Sequence, residues 1–333
     1  MIFNLPPICG LFPLLLYIVL SFRKGMHPLV NVSICAVVGA ILVKQPLGSL
    51  GAVIYESMGS FLALVGFIIM LGSGLGVVLR KTGVAAAIVN VLMRKIGVKT
   101  QKRAILATMV SSVCLVTLLG TLAGANAVIA PIVIPLVAAV GITPSTLAII
   151  FQGAGQTGLF LSPFSPPMVT LMGITGLSYP RILVCAGIPI AIVMWIGTYL
   201  IAIKVQKDTQ GKEDFGTDVE LPDGNFKVDP VTKRATFTFV ITMAVMVVYG
   251  IITKGGASFV ILVMLVAAIL TGLVAKMSAG EIFDSIIEGC GKLMWLFFMF
   301  LMFNPFLNFV TASGAFDAML ELMEPLIGST GKL

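Results

Sequence analysis

The chain has 333 residues, of which 58% are hydrophobic and only 11% charged, with a mean hydropathy of +1.10. A soluble domain carries about a quarter charged residues, so the composition excludes a water-soluble domain and points to an all-α polytopic membrane protein. The net charge of +7 sits in short loops beside apolar segments, where the positive-inside rule accounts for it, and it implies no nucleic-acid partner.

Apolar segments fall at 5–22, 29–43, 57–79, 104–123, 127–140, 144–160, 166–176, 182–203, 235–252, 257–275 and 291–312; several are near the ~20 residues needed to cross a bilayer and some are too short. The first has no A-x-A-like cleavage site after it and reads as an N-terminal membrane helix over 1–28 rather than a signal peptide. His27, the single histidine, lies in the basic loop "RKGMHP" and reads as a surface residue. Cys9, Cys35, Cys114, Cys185 and Cys290 form no CxxC pair and read as small buried hydrophobes. "GSGLG" at 72–76 resembles part of a nucleotide loop, but it lies inside an apolar span with no strand before it, so close helix packing is expected there.

A first transporter repeat is expected over 29–203. Within it, residues 104–140 carry the small polar stretch "GTLAGANA" between two apolar arms. This predicts a re-entrant hairpin with Asn126 at its tip, a shape tolerated at membrane depth only when buried in protein or lining a cavity. Residues 144–176 follow, with "FQGAGQTGLFLSPFSPPMV" at their centre. Their two halves are helical in character and the middle is full of glycine and proline, so the spacing predicts one membrane helix broken near Gly153–Pro167.

Residues 204–234 read as a solvated cytoplasmic linker, into which Asp208, Glu213, Asp214, Asp218, Glu220, Asp223 and Asp229 crowd. With the N-terminus outside and the hairpin returning to its own side, only Lys44, Arg181, Lys254 and Lys332 of the 21 Lys and Arg fall outside the cell membrane. That asymmetry favours this orientation.

Gly51–Gly97 and Gly280–Gly328 resemble one another: each has an amphipathic lead-in, a long apolar span, a short stop, a helix with small residues and a closing "IG". In the orientation above the two run in opposite senses, which is the signature of inverted repeats in transporters. Residues 235–333 are then the start of a second repeat, with its own hairpin and broken helix missing. The sequence is therefore expected to be a C-terminally truncated piece of a protein roughly 100 residues longer, estimated from the length of the first repeat.

Transporters of this design hold substrate near the bilayer midplane between discontinuous helices. Half-helix N-termini suit a carboxylate, and unwound carbonyls suit Na⁺. Candidate substrate or ion ligands are Gly124, Asn126, Gln152, Gly155, Gln156, Thr157, Ser162 and Ser165, with Na⁺ at backbone carbonyls near Gly124 and Gly158. No cofactor is expected beyond Na⁺ or H⁺ as coupling ion. None of the 14 acids lies in the middle of a predicted span. Proton relays and cation antiporters usually rely on intramembrane carboxylates, so this favours an anion site of dipoles and hydroxyls. No HExxH, no pair of intramembrane aspartates and no Ser/His set is present, so no enzyme is expected.

The segment "GANAVIAPIVIPL…FQGAGQTGLFLSPFSPPMVTLMGITGLSYPRIL" resembles the ion transporter superfamily. It is similar in particular to the anaerobic C4-dicarboxylate uptake carriers and to the related Na⁺/H⁺ antiporter and amino-acid permease families. The shared pattern is a hairpin with a small polar tip, a P-[ST]-S-like turn, here Pro163–Phe164–Ser165–Pro166, and then an apolar run with a central glycine. Of the dicarboxylate carriers' Ser-Asn-Thr tip, Gly124–Ala125–Asn126–Ala127 keeps only the Asn. The resemblance implies two inverted repeats, a homodimer when full length, and elevator-like movement. The expected function is cation-coupled uptake of a small organic anion, such as a carboxylate or amino acid, with Na⁺/H⁺ antiport as the alternative.

Overall fold

Proline and short polar side chains decide where many of the helices begin. Pro28, Pro144, Pro166 and Pro230 each occupy the first helical position, where a missing N–H costs nothing and the fixed φ already suits a helix. The residue before each caps the first turn. His27 Nδ1 accepts from the Leu29 amide at 3.3 Å, Thr143 Oγ1 from Thr146 at 3.4 Å, Ser165 Oγ from Met168 at 3.4 Å, and Asp229 from Val231 and Thr232. Ser278 and Glu281 form a reciprocal capping box, with bonds of 3.2 and 2.7 Å.

A computed structural model describes residues 5–216 and 228–330. In chain order it contains α1 (Phe12–Ser21), α2 (Pro28–Leu42), α3 (Leu50–Met58), α4 (Phe61–Lys81), α5 (Val84–Ile96), α6 (Gln101–Leu119), α7 (Leu122–Ala138), α8 (Pro144–Leu161), α9 (Pro166–Thr175), α10 (Tyr179–Ile182), α11 (Ile188–Thr209), α12 (Pro230–Ile252), α13 (Ala257–Val274), α14 (Ala279–Ala312) and α15 (Ala315–Thr330). No strand occurs among the described residues. Among the described residues six helices are long and apolar enough to cross a membrane, including α4, α6 and α12–α14. The protein is a multi-pass helical membrane protein.

The chain forms two units: Met1–Phe67 with Met294–Leu333, and Ile68–Leu293. In the first, Val32, Cys35 and Ala36 of α2 cluster with Phe306 and Val310 of α14 and Ala315 of α15. Asn31, buried on α2, donates to Tyr17 O at 3.1 Å and to Ser21 Oγ at 2.9 Å, tying α2 to α1. In the second, α8 packs along α6 and α11, α12 packs on α13, and α5 reaches α12.

Each unit contains the same local construction. The turn Thr82–Gly83 after α4 has bonds Thr82 N→Val78 O (2.9 Å) and Gly83 N→Arg80 O (3.1 Å). The turn Ser313–Gly314 after α14 has Ser313 N→Phe309 O (3.1 Å) and Gly314 N→Thr311 O (3.0 Å). Both glycines are left-handed, at φ 72° and 73°. The end of α2 matches the end of α13 in the same way, with Lys44 and Lys276 left-handed at φ 57° and 64°. The burial pattern repeats too. Residues matching the first unit's cluster, namely Met264, Ala267, Ala268, Leu75, Leu79 and Val84, are all buried in the second.

One difference separates the copies. The lead-in and span of the first are divided at Gly59–Ser60, where Ser60 Oγ accepts from Ala63 N at 3.2 Å and starts α4. The second runs through as the 34-residue α14, because no capping hydroxyl occupies the matching place. The polar linker expected over 204–234 is also shorter at both ends. Helix α11 continues to Thr209, where Gln206 is buried, accepting from Thr143 N at 3.1 Å and donating to Gly141 O at 2.7 Å. At the other end α12 starts at Pro230. The centre of the linker lies outside the described residues.

Candidate functional site

The break in the 144–176 helix is narrower than its glycines suggest. Helix α8 runs unbroken to Leu161, and only Ser162–Ser165 leave helical geometry before α9. The expected unwinding from Gly153 is corrected, and the reason is packing. A side chain at Gly153 would strike Thr198 of α11. At Gly155 it would strike Leu122 of α7, and at Gly158 it would strike Val116 and the Val113 carbonyl of α6. These glycines let α8 lie close against three helices, and that contact offsets their roughly 1 kcal/mol helix penalty.

The break is closed by its own serines. Ser165 Oγ donates to Leu159 O at 2.5 Å, with a longer branch to Ser162 O at 3.2 Å, and Ser162 Oγ accepts from Phe164 N at 3.2 Å. Gly158 O accepts from both Ser162 N (3.0 Å) and Thr117 Oγ1 (3.2 Å), while Leu161 O accepts from the Tyr179 hydroxyl at 2.8 Å. Thr157 Oγ1 returns its proton to Gly153 O at 3.1 Å. Thr157, Ser162 and Ser165 are therefore committed to the scaffold. The Gly158 carbonyl, one of those near which Na⁺ is expected, accepts these two hydrogen bonds.

The hairpin turn is likewise displaced from its expected position. Gly120 ends α6 in the left-handed region (φ 65°) and Thr121 opens α7 in extended geometry. The tip is Gly120–Thr121, not Asn126, which lies within the first turns of α7. The three alanines of "AGANA" favour helix and Gly124 packs against Ser73 of α4, so the polar-looking stretch is helical rather than looped.

Glycines bring this turn against its neighbours. A Cβ at Gly120 would meet Phe164 O at 2.8 Å, so the hairpin turn touches the helix break directly. A Cβ at Gly72 would meet Thr121 and the Leu119 carbonyl, and one at Gly124 would come within 3.2 Å of the Ser73 Cα. A Cβ at Gly74 would lie 2.9 Å from Ile286 O of α14, and Gly289 stacks on Ser73 and Gly74. "GSGLG" thus serves close helix packing, as its sequence context suggests. It also makes one junction of α4, α14, the hairpin turn and the break.

Among the described residues four buried side-chain oxygens have no hydrogen-bond partner, one of them Thr271 Oγ1 on α13. Thr108 Oγ1 and Ser112 Oγ on α6, and Asn126 Oδ1 on α7, are buried without a hydrogen-bond partner. Thr108 and Ser112 are fully buried and one turn apart on one face of α6. Ser112 Oγ lies 3.5 Å from the Cβ position of Gly155. Leu122, which also meets that position, is one turn before Asn126 on α7. An unsatisfied buried polar atom costs about 1–3 kcal/mol, so the two hydroxyls on one face of α6 and the amide oxygen on α7 are candidate ligand groups. Neutral oxygens of this kind suit a hard cation. Thr108 and Ser112 escaped the sequence reading; the signal was two hydroxyls four residues apart in the apolar run "ATMVSSV".

Gln152 and Gln156 make no hydrogen bond. Gln152 is exposed and Gln156 half-buried, and both lie on one face of α8 at its midpoint. Of the expected ligands, Gly124, Gly155 and Asn126 belong to the junction and its flank. The two glutamines face outward from α8 at about the same depth.

No acid occurs between Glu56 and Asp208, so α4–α10 hold no carboxylate. Next to the crossing glycine Gly289, Glu288 is engaged by Arg80 (2.9 Å), Lys81 (2.9 Å) and Lys292 (3.1 Å). Among the described residues no group of three His, Cys, Asp or Glu could hold a metal ion.

The Na⁺/H⁺ antiporter family matches residues 17–205, a stretch from α1 to α11 that includes the hairpin and the break. No match was found among curated proteins. The family match supports the antiporter side of the resemblance seen in the sequence and gives no support to the dicarboxylate side. It covers more than half of the 333 residues, and the chain belongs to the Na⁺/H⁺ antiporter family, a family of transporters rather than enzymes.

Proposed function

We propose that the protein exchanges Na⁺ for H⁺ across the cell membrane, with Na⁺ held at the α6–α7–α8 junction by Thr108, Ser112 and Asn126. The observation that carries this reading is the set of three buried, unpartnered oxygens on the α6–α7 hairpin, in a chain of this family. Oxygen ligands without charge bind Na⁺ weakly enough to release it, as turnover requires. The N-terminus is outside and the 204–234 segment cytoplasmic in this reading, and the two repeated constructions run in opposite senses through the bilayer. The functional particle is a homodimer in a lipid bilayer.

A second reading, Na⁺-coupled uptake of a small organic anion, draws on the absence of any carboxylate from α4–α10. An antiporter site usually carries one to exchange Na⁺ for a proton. One experiment separates the two. Protein is reconstituted in acid-loaded proteoliposomes containing a pH-sensitive dye, and Na⁺ is added outside. Proton efflux that depends on Na⁺ and is abolished by Asn126→Ala supports antiport. Proton flux unmoved by Na⁺, together with labelled carboxylate uptake driven by a Na⁺ gradient, overturns antiport and establishes the second reading.

A further inference from the structure

A cavity of about 460 Å³ lies in the second unit, between the segment that follows the helix break and the α12–α13 connection. Its walls are apolar and include Phe164, Met172, Tyr179, Met246 and Phe259. Its one charged lining residue is Lys254, in the left-handed turn that ends α12. Because α12 is a candidate membrane span, that turn sits at the level where lipid headgroups lie.

Three features describe the occupant. Leu177 and Ile251 line it, and their neighbourhood carries the exposed apolar side chains Ile174 and Ile252, 78% and 74% exposed. In a bilayer such side chains face acyl chains. Lys254 has a cationic neighbour, Arg181, directly after the lining residue Pro180. Neither has a compensating acid nearby in sequence, since none occurs from Ser57 to Lys207 or from Pro230 to Gly280. An apolar pocket with Lys254 in its lining and Arg181 one residue beyond it, at headgroup depth, is complementary to an acyl chain carrying an anionic head.

We propose that this cavity binds an anionic phospholipid of the surrounding bilayer, its acyl chain between Met172, Met246 and Phe259 and its phosphate at Lys254 and Arg181. Pro163 and Phe164, residues of the break itself, also line the cavity, so the bound lipid touches the break and braces α9 against α12 and α13.

The test uses the purified full chain titrated with phosphatidylglycerol or with phosphatidylcholine, bound lipid being counted by native mass spectrometry. Phosphatidylglycerol binds more tightly. Lys254→Gln weakens it about fivefold and the Lys254→Gln/Arg181→Gln pair further, a basic residue near a membrane surface being worth about that much. Phosphatidylcholine binding is unchanged in both variants. Val247→Trp, which fills the cavity from α12, removes phosphatidylglycerol while helical circular dichroism is retained. Equal binding of the two lipids, wild-type affinity in Lys254→Gln, retention by a folded Val247→Trp, or preference for free oleate overturns the proposal. None of these readouts depends on transport, so the lipid site stands or falls separately from the ion site.

Discussion

Ser165 spans the break between α8 and α9, donating its hydroxyl proton to the Leu159 carbonyl at 2.5 Å while accepting the Met168 amide at 3.4 Å. One side chain thereby satisfies a backbone group at the end of one half-helix and another at the start of the next. At membrane depth no water is present to replace either bond.

Replacing Ser165 with alanine therefore strands both groups. The expected cost is about 1–3 kcal/mol, read as a fall in the thermal unfolding midpoint of the purified protein. Ser165→Thr retains the hydroxyl and restores most of the loss. If alanine and threonine variants unfold alike, the hydroxyl bridge is not what holds the break.

Ser112 and Asn126 behave in the opposite way. Because Ser112 Oγ is buried with no partner, Ser112→Ala removes an unsatisfied group and leaves stability unchanged or raised by up to about 1 kcal/mol. Its apparent Na⁺ affinity falls, since a cation ligand is lost. Asn126→Ala does the same more severely, and Asn126→Asp makes Na⁺ affinity rise with pH as the new carboxyl ionises. Measuring unfolding midpoint and Na⁺-dependent proton flux on the same samples separates a ligand from a packing residue. A Ser112→Ala protein that is destabilised yet transports normally counts against the site.

The crossing of α4 and α14 admits a paired control. At Gly289 a Cβ would run into Ser73 and Gly74, whereas at Gly291 there is open space. Gly289→Ala is expected to destabilise by 1–3 kcal/mol, about the cost of overpacking a tight contact. Gly291→Ala is expected to be neutral or slightly stabilising through helix propensity. Comparable losses in both variants would mean that the close crossing is not formed.

Asp229 caps α12 outside the membrane span. Its hydrogen bonds to Thr232 and Val231 hold its carboxyl below the usual aspartate range. A depressed folded-state value means that the cap's contribution is present above the unfolded aspartate value, about 3.9. It is lost as pH falls through the folded value. The wild type should accordingly lose protection of the first-turn amides of α12 in acid, measured by hydrogen exchange. Asp229→Asn keeps the cap without the titration and shows no such loss below pH 4. Identical acid profiles in the two proteins would remove the charge from the account.

The sequence by itself determined the class of protein and where its helices lie. Apolar runs of bilayer length have one stable answer in lipid, the α-helix, and prolines after short polar residues mark its starts at Pro28, Pro144, Pro166 and Pro230. The repeat between the two ends of the chain was legible as spacing. So was the tight packing at "GSGLG", because glycines in an apolar helix have little other use. Only the tertiary structure decided which polar groups are free. In sequence, Thr157, Ser162 and Ser165 look as available as Thr108 and Ser112, because a hydroxyl's partner is set by what folds within about 3 Å of it. Once folded, the first three close the break and bond their own helix, while the latter two stay buried on α6 with no partner. The same holds for glycine: the residues of "QGAGQTG" could unwind a helix or let it approach its neighbours. Contact with α6, α7 and α11 stabilises the helix enough to choose approach, so the break contracted to Ser162–Ser165.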